Sequence, residues 1–204
     1  MFDKIRAYFR DTPANYEKAN YLGQISEIPP GAIICVRSKS LIGYIIRKVT
    51  SAWTNHIAIY FGSGRQAVVE ALPGGMVETR LKDSMNDKTQ FKVFANKKMS
   101  VIQLQIMKSY VYGTLGKKYG WTEILRFLGP KWAKVFHSDR STNFCSENAV
   151  EAFHSVSIKI SEKPANESSP GDVEDYLDSL QGEAEGWELI GSWNCSPQAS
   201  KRLY

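Results

Sequence analysis

The stretch STNFCSENAV, residues 141–150, places one of the chain's three cysteines at the start of an expected helix. Asn143 is a good N-cap residue type, Phe144 would open the helix, and Cys145 falls in its first turn. Ala149, Val150 and Phe153 continue it with an apolar stripe at helical spacing. A thiol in that place meets unpaired backbone N–H groups and the positive end of the helix dipole, and both favour the nucleophilic thiolate. The competing reading is a small buried hydrophobe, because free cysteine is among the most buried residue types.

A cysteine nucleophile needs a base, usually histidine, and a third group to orient that base. Of the three histidines, His154 lies nine residues after Cys145, on the opposite side of the same helix. His137 stands in the basic stretch KVFHSDR with nothing to fix it. His56 begins HIAIYFG (56–62), an expected strand with Ile57, Ile59 and Phe61 on one face and His56, Ala58 and Tyr60 on the other. The first face reads as core and the second as the border of a cleft, with Ala58 leaving room beside the histidine. The next strand, QAVVEAL (66–72), is interrupted by Glu70, a charge that needs a partner. Taken alone, Glu70 reads as a surface residue of an edge strand. Pairing through the turn GSGR (62–65) is expected to set His56 and Glu70 on neighbouring strands, near opposite ends of the paired region. A Glu70 carboxylate accepting an imidazole N–H would fix the tautomer and orientation of the ring.

Around this pair, AIICV (32–36) reads as a buried strand, and SLIGYIIRKVT (40–50) as a short helix with Leu41, Ile45, Ile46 and Val49 on one side. PGG (73–75) is a turn and FKVFA (91–95) a further strand. Residues 99–115 and 121–128 read as helices separated by GKKYG. SSPGDVEDYLDSL (168–180) has Ser169 as N-cap, Pro170 at the first helical position and Asp172 completing a capping box. GWELIGSW (186–193) reads as a last strand or an aromatic tail packed on the domain. Near the N-terminus, Phe2, Ile5 and Phe9 give a helical apolar stripe beside Lys4, Arg6 and Arg10, and a second helix starts at Thr12–Pro13. Antiparallel strands followed by helices imply an α+β fold. The organisation expected is a helical appendage over residues 1–27 and one domain over 28–204, ending in an acidic segment.

With 204 residues, 43% hydrophobic and 12% aromatic, the chain can form a core, and no apolar run reaches the length of a membrane span. MFDKIRAYFR has no apolar h-region, so no signal peptide is read and cytoplasmic synthesis is expected. Cys35, Cys145 and Cys195 form neither a disulfide framework nor a zinc spacing; no metal or cofactor is expected. From residue 161 onward there are three basic and nine acidic residues, so residues 1–160 carry 23 basic against 12 acidic, a net charge of +11. That surplus suits an anionic partner, but no recognition helix, zinc finger or RNA-binding motif points to nucleic acid.

PGAIICV, TNHIAIYFG, VVEALPGG, LGKKYG, FCSENAVEAF and SPGDVEDYL occur in this order across roughly residues 29–180. The series resembles the circularly permuted papain-like cysteine hydrolases of the NlpC superfamily, specifically the YiiX-like group. Two positions depart from that pattern: Ala32 stands where the family usually has Asp, and Gly120 where Asp often follows Lys-x-Tyr. The resemblance implies a small antiparallel sheet packed on the Cys145 helix, with Cys145 as nucleophile, His56 as base and Glu70 as its orienting residue. It further implies amide hydrolysis through a thioester. The backbone N–H of Cys145 would serve as oxyanion donor, with Tyr119 and Asn55 as side-chain candidates. Relatives in the superfamily cleave cell-wall peptides, and others transfer or remove lipid acyl groups. The first expectation is therefore a peptidase or amidase acting on peptides such as peptidoglycan stems; a wall hydrolase without a signal peptide would need lysis, a phage particle or another export route. The second is an acyltransferase or lipid amidase, with membrane contact through the N-terminal helix. The third is a non-catalytic binding or virion component.

Overall fold

The computed structural model describes residues 28–38, 40–62, 66–84, 89–119, 142–180 and 186–194. The expected helices at 1–27 and 121–128, together with His137, Gly120 and Cys195, lie outside them. The strands are β1 (Ala32–Ser38), β2 (His56–Gly62), β3 (Ala67–Leu72), β4 (Gly75–Arg80), β5 (Thr89–Asn96), β6 (Lys118–Tyr119), β7 (Thr142–Asn143) and β8 (Trp187–Asn194). The helices are α1 (Leu41–Thr50), α2 (Leu81–Ser84), α3 (Val101–Tyr112), α4 (Cys145–His154) and α5 (Pro170–Ser179), with a 3-10 turn at Ala165–Glu167. No helix among the described residues is long and apolar enough to cross a membrane.

Six strands form one antiparallel sheet in the order β4-β3-β2-β1-β5-β8. The central strands are apolar without interruption because both their faces are covered. On one face Ile33, Cys35, Ile57, Ile59 and Phe61 pack with Cys145, Ala149, Ala152 and Phe153 of α4 and with Met107 and Val111 of α3. On the other, Ile34, Val36, Ala58, Tyr60, Val68 and Val93 form a second cluster with Leu81. The face carrying Ala58 and Tyr60 is therefore core as well, and not the cleft border expected of it; His56 alone reaches the opening, at the start of β2.

Two further expectations change. β4 was not foreseen: GMVETR follows the 73–75 turn and pairs with β3 from Ala67↔Arg80 to Leu72↔Gly75, so β3 is an interior strand and Glu70 is buried. In α1, Ile46 and Arg47 face inward, while Ile45 is 39% exposed, contrary to the apolar side read from sequence. The cause is Arg47, which donates to the Ser38 carbonyl and to Asn55 Oδ1 (2.7 Å), so the inward line runs through Gly43, Ile46 and Arg47. GWELIGSW resolves as a strand, β8, paired to β5 from Gln90↔Asn194 to Asn96↔Trp187.

Candidate active site

Cys145 is the first residue of α4, and Phe144, extended at φ −96° and ψ 155°, is the N-cap. The cap lies one residue later than Asn143, because the backbone of Thr142 and Asn143 pairs in parallel with Lys118 and Tyr119. The Glu147 carboxylate accepts from the Phe144 N–H at 3.4 Å, and Ser146 Oγ donates to the Ser168 carbonyl at 2.5 Å. The helix start is thus held from both sides, with Cys145 itself only 3% exposed. Ala149 and Phe153, two of the stripe residues, are buried beneath it.

His56 sits across from Val36 near the end of β1, and Glu70 sits across from Ala58. Antiparallel pairing brings the start of β2 and the end of β3 to the same end of the sheet, which corrects the expectation of opposite ends. His56 Nε2 lies 2.8 Å from Glu70 Oε2, and the thiol of Cys145 is the ring's other hydrogen-bonding partner. With Glu70 as acceptor, Nε2 carries the donated proton and Nδ1 is left for the sulfur. The second Glu70 oxygen accepts from Thr79 Oγ1 at 2.6 Å, a β4 residue the sequence reading did not single out. Its signal was the alternation of GMVETR, which points Thr79 and Val77 to one face.

Burial opposes a charge on His56, but the Cys145 sulfur and then Glu70 outweigh it and push the imidazole pKa up to about 10. Burial likewise pushes the Glu70 carboxyl up. The bond to His56, the imidazolium charge and hydrogen bonds from Thr79 and Ser84 overcome it, leaving the pKa below the ordinary value. His56 and Glu70 line a cavity of about 380 Å³ whose wall also includes Ser40, Asn55, Asp83 and Tyr119, with Val36, Ile46 and Leu72 as apolar wall. Cys145 reaches that wall through its hydrogen bond with His56.

The two side-chain candidates for an oxyanion donor differ. Asn55 Oδ1 accepts from the Ser38 N–H (2.8 Å) and from Arg47 (2.7 Å), and Nδ2 donates to Ser38 Oγ (3.1 Å), so its amide ties β1 to α1. Tyr119, opposite Asn143 in the β6–β7 pair, packs edge-on against Phe144 with ring centroids 6.1 Å apart. Burial, and then the charge of Cys145, push its hydroxyl pKa far up, so it remains a neutral donor beside the sulfur. His154 ends α4, exposed, about 13 Å along the axis from Cys145. Cys35 is fully buried, and burial first, then the Glu174 carboxylate, push its thiol pKa well up.

A family model described as permuted papain-like amidase enzyme, YaeF/YiiX, C92 family, matches residues 27–168. Among solved structures, that of metalloprotein YiiX from Escherichia coli O157:H7 is similar in fold, with a TM-score of 0.55 and 22% identity over 86% of this chain and 92% of that one. No curated protein matches this chain. Among the described residues, no group of three or more His, Cys, Asp or Glu side chains is placed to hold a metal ion.

Proposed function

The chain belongs to the permuted papain-like amidases, cysteine hydrolases by family, and we propose that Cys145 is its nucleophile, His56 its acid–base and Glu70 the group that orients His56. The observation that carries this reading is one ring, His56, held between the Cys145 thiol and the Glu70 carboxylate at the edge of a cavity. The sulfur attacks the carbonyl carbon of a bound amide, and the oxygen takes up the negative charge. The Cys145 N–H at the helix start and the Tyr119 hydroxyl are the donors for that oxyanion. The tetrahedral intermediate collapses as His56 gives its proton to the leaving nitrogen, releasing an amine and leaving a thioester on Cys145. Water then attacks the thioester while His56 takes a proton from it, and the acid leaves with the thiol restored.

The substrate class proposed is a peptide of the peptidoglycan stem type. A cavity walled by Ser40, Asn55 and Asp83 on the polar side and by Val36, Ile46 and Leu72 on the other suits an amino-acid side chain with a peptide backbone. The net charge of +11 over residues 1–160 favours a carboxylate-bearing ligand. Purified muropeptides incubated with the protein should release new amino groups, and Cys145→Ser should abolish the release. Release of fatty acid from N-acyl lipids with none from muropeptides would replace the peptide reading by lipid amidase activity. No turnover of either class, with unchanged Cys145 reactivity in His56→Ala, would overturn the catalytic reading.

A further inference from the structure

We propose that Glu174, clamped by Lys92, is a positioning residue for His56 and acts through Thr54; the inference rests on His56 being the acid–base. Glu174 lies on α5, beyond the matched residues 27–168, and its side chain is 3% exposed. Oε2 accepts from the Thr54 N–H at 3.1 Å, while Oε1 lies 2.6 Å from Lys92 Nζ. Lys92 also binds Asp178 Oδ2 at 2.9 Å and lies over the ring of Trp53, the residue before Thr54, at 5.2 Å from its centroid. Thr54 is fully buried, and its Oγ1 faces both the Val36 carbonyl (2.8 Å) and the His56 carbonyl (3.2 Å). Asn55 N–H donates to the same Val36 carbonyl at 2.9 Å. The three residues that lead into the imidazole are thus fastened to β1 on one side and to α5 on the other.

The fit of α5 against this segment is close. A Cβ on Gly171 would lie 2.3 Å from the Ala52 Cβ, so a side chain there would push α5 off the segment that Glu174 holds. The same end of α5 reaches the nucleophile: Ser168, two residues before the helix, accepts from Ser146, the neighbour of Cys145. One C-terminal element therefore braces both the strand that begins at His56 and the helix that begins at Cys145. A buried carboxylate is costly unless paired, and a hydrophobic pair would fill the same volume without that cost. What a hydrophobic pair cannot do is accept the Thr54 N–H.

The test compares Cys145 alkylation by limiting iodoacetamide at pH 6.5, read by peptide mass spectrometry, with thermal melting of the same samples. Lys92→Met/Glu174→Met removes the charges together and is expected to stay folded, with a melting point lowered by only a few degrees for the unpaired Thr54 N–H, while labelling Cys145 about tenfold more slowly. Glu174→Gln, which keeps an oxygen for Thr54, should restore the rate to within about threefold. Should the double variant fail to fold, Thr54→Val and Thr54→Ser decide on the second link, the Thr54 hydroxyl on the His56 carbonyl through which the brace must act: the first should slow labelling, the second should not. A folded double variant labelling at the parental rate, or Thr54→Val labelling like Thr54→Ser, overturns the positioning role. His56→Ala in the same series separates the two claims. If it slows labelling while the Glu174 and Thr54 variants do not, only the positioning role fails; if it leaves the rate unchanged, the acid–base assignment itself falls.

Discussion

Two glutamates sit in this protein with almost the same burial and opposite electrostatics. Glu70 and Glu174 side chains are 2% and 3% exposed, and each is paired with a nitrogen base, His56 at 2.8 Å and Lys92 at 2.6 Å. Yet the Glu70 pKa lies below its ordinary value and that of Glu174 above it. Burial raises both. Around Glu70 it is overcome by His56 and by hydroxyl donors from Thr79 and Ser84. Around Glu174 the lysine offsets burial only in part, because Asp178 and Asp175 crowd the same site. Lys92 itself is pushed upward, with burial opposed and outweighed by Glu174 and Asp178, so the lysine keeps its charge at neutral pH. Hydrogen-bond donors, more than depth, determine which carboxylate is held ready as an anion.

The contrast breaks most sharply at the bases. His56→Ala is expected to lower amide hydrolysis about 10³-fold, the range of a lost general acid–base, while the fold persists. Lys92→Met alone leaves Glu174 buried without its cation, and should cost about 3 kcal/mol or more of stability in urea unfolding. A His56→Ala enzyme with near-parental turnover would erase the distinction between a reactive and a bracing pair. Glu70→Gln is a milder cut at the same site: the loss of one charge-assisted bond to His56 should slow turnover about 10–100-fold.

Stability against pH sharpens the comparison further, because the signs differ. Glu70, with a lowered pKa, contributes stability that is present above its ordinary 4.5 and is lost as pH falls through its folded value. Glu174, with a raised pKa, does the reverse: stability falls as pH rises from 4.5 through its folded value. His56, raised from 6.5 to about 10, contributes stability that is complete below 6.5 and is lost as pH climbs through 10. In urea unfolding over a pH series, Glu70→Gln should remove an acid-side rise, Glu174→Gln an acid-side fall, and His56→Ala an alkaline fall. The same sign for both glutamine variants would contradict the contrast drawn above.

The two pairs were unequally legible in the sequence. His56 and Glu70 stand fourteen residues apart on consecutive strands, and a charge inside VVEAL asks for a partner nearby. Lys92 and Glu174 come from distant stretches, and each reads as an ordinary surface charge until the sheet and α5 are folded together. The central strands announced themselves as apolar runs. β4 did not, because its half-exposed GMVETR, buried only at Gly75 and Met76, looks like a loop. Cys145 was placed correctly in the first turn, but its N-cap shifted because Asn143 is engaged by the β6–β7 pairing, which local capping rules do not contain. Arg47 misled for a similar reason: a charge on a helix is read as outward, and only Asn55 and the Ser38 carbonyl explain why it turns inward.

Thr79 is where the smallest effect is expected and where the comparison is most finely tested. It is one hydroxyl, contributed by the strand the sequence hid, and it donates to the Glu70 oxygen that does not face His56. Thr79→Val keeps the shape and removes the donor. Glu70 then keeps its imidazole partner but moves one step toward the circumstances of Glu174, a buried carboxylate with fewer donors. Its pKa should rise toward the ordinary value, so the acid-side loss of stability, which sets in near 4.5 in both proteins, should be smaller and should end at a higher pH than in the parent. Turnover at neutral pH should fall only about threefold, since the bond between Glu70 and His56 is intact and only its geometry is less fixed. Combined with Glu70→Gln, the Thr79 change should add almost nothing, because the carboxylate it serves is already gone. A Thr79→Val acid limb that coincides with the parent's would mean that His56 alone keeps Glu70 ionised, and that the hydroxyl donors do not separate the two glutamates.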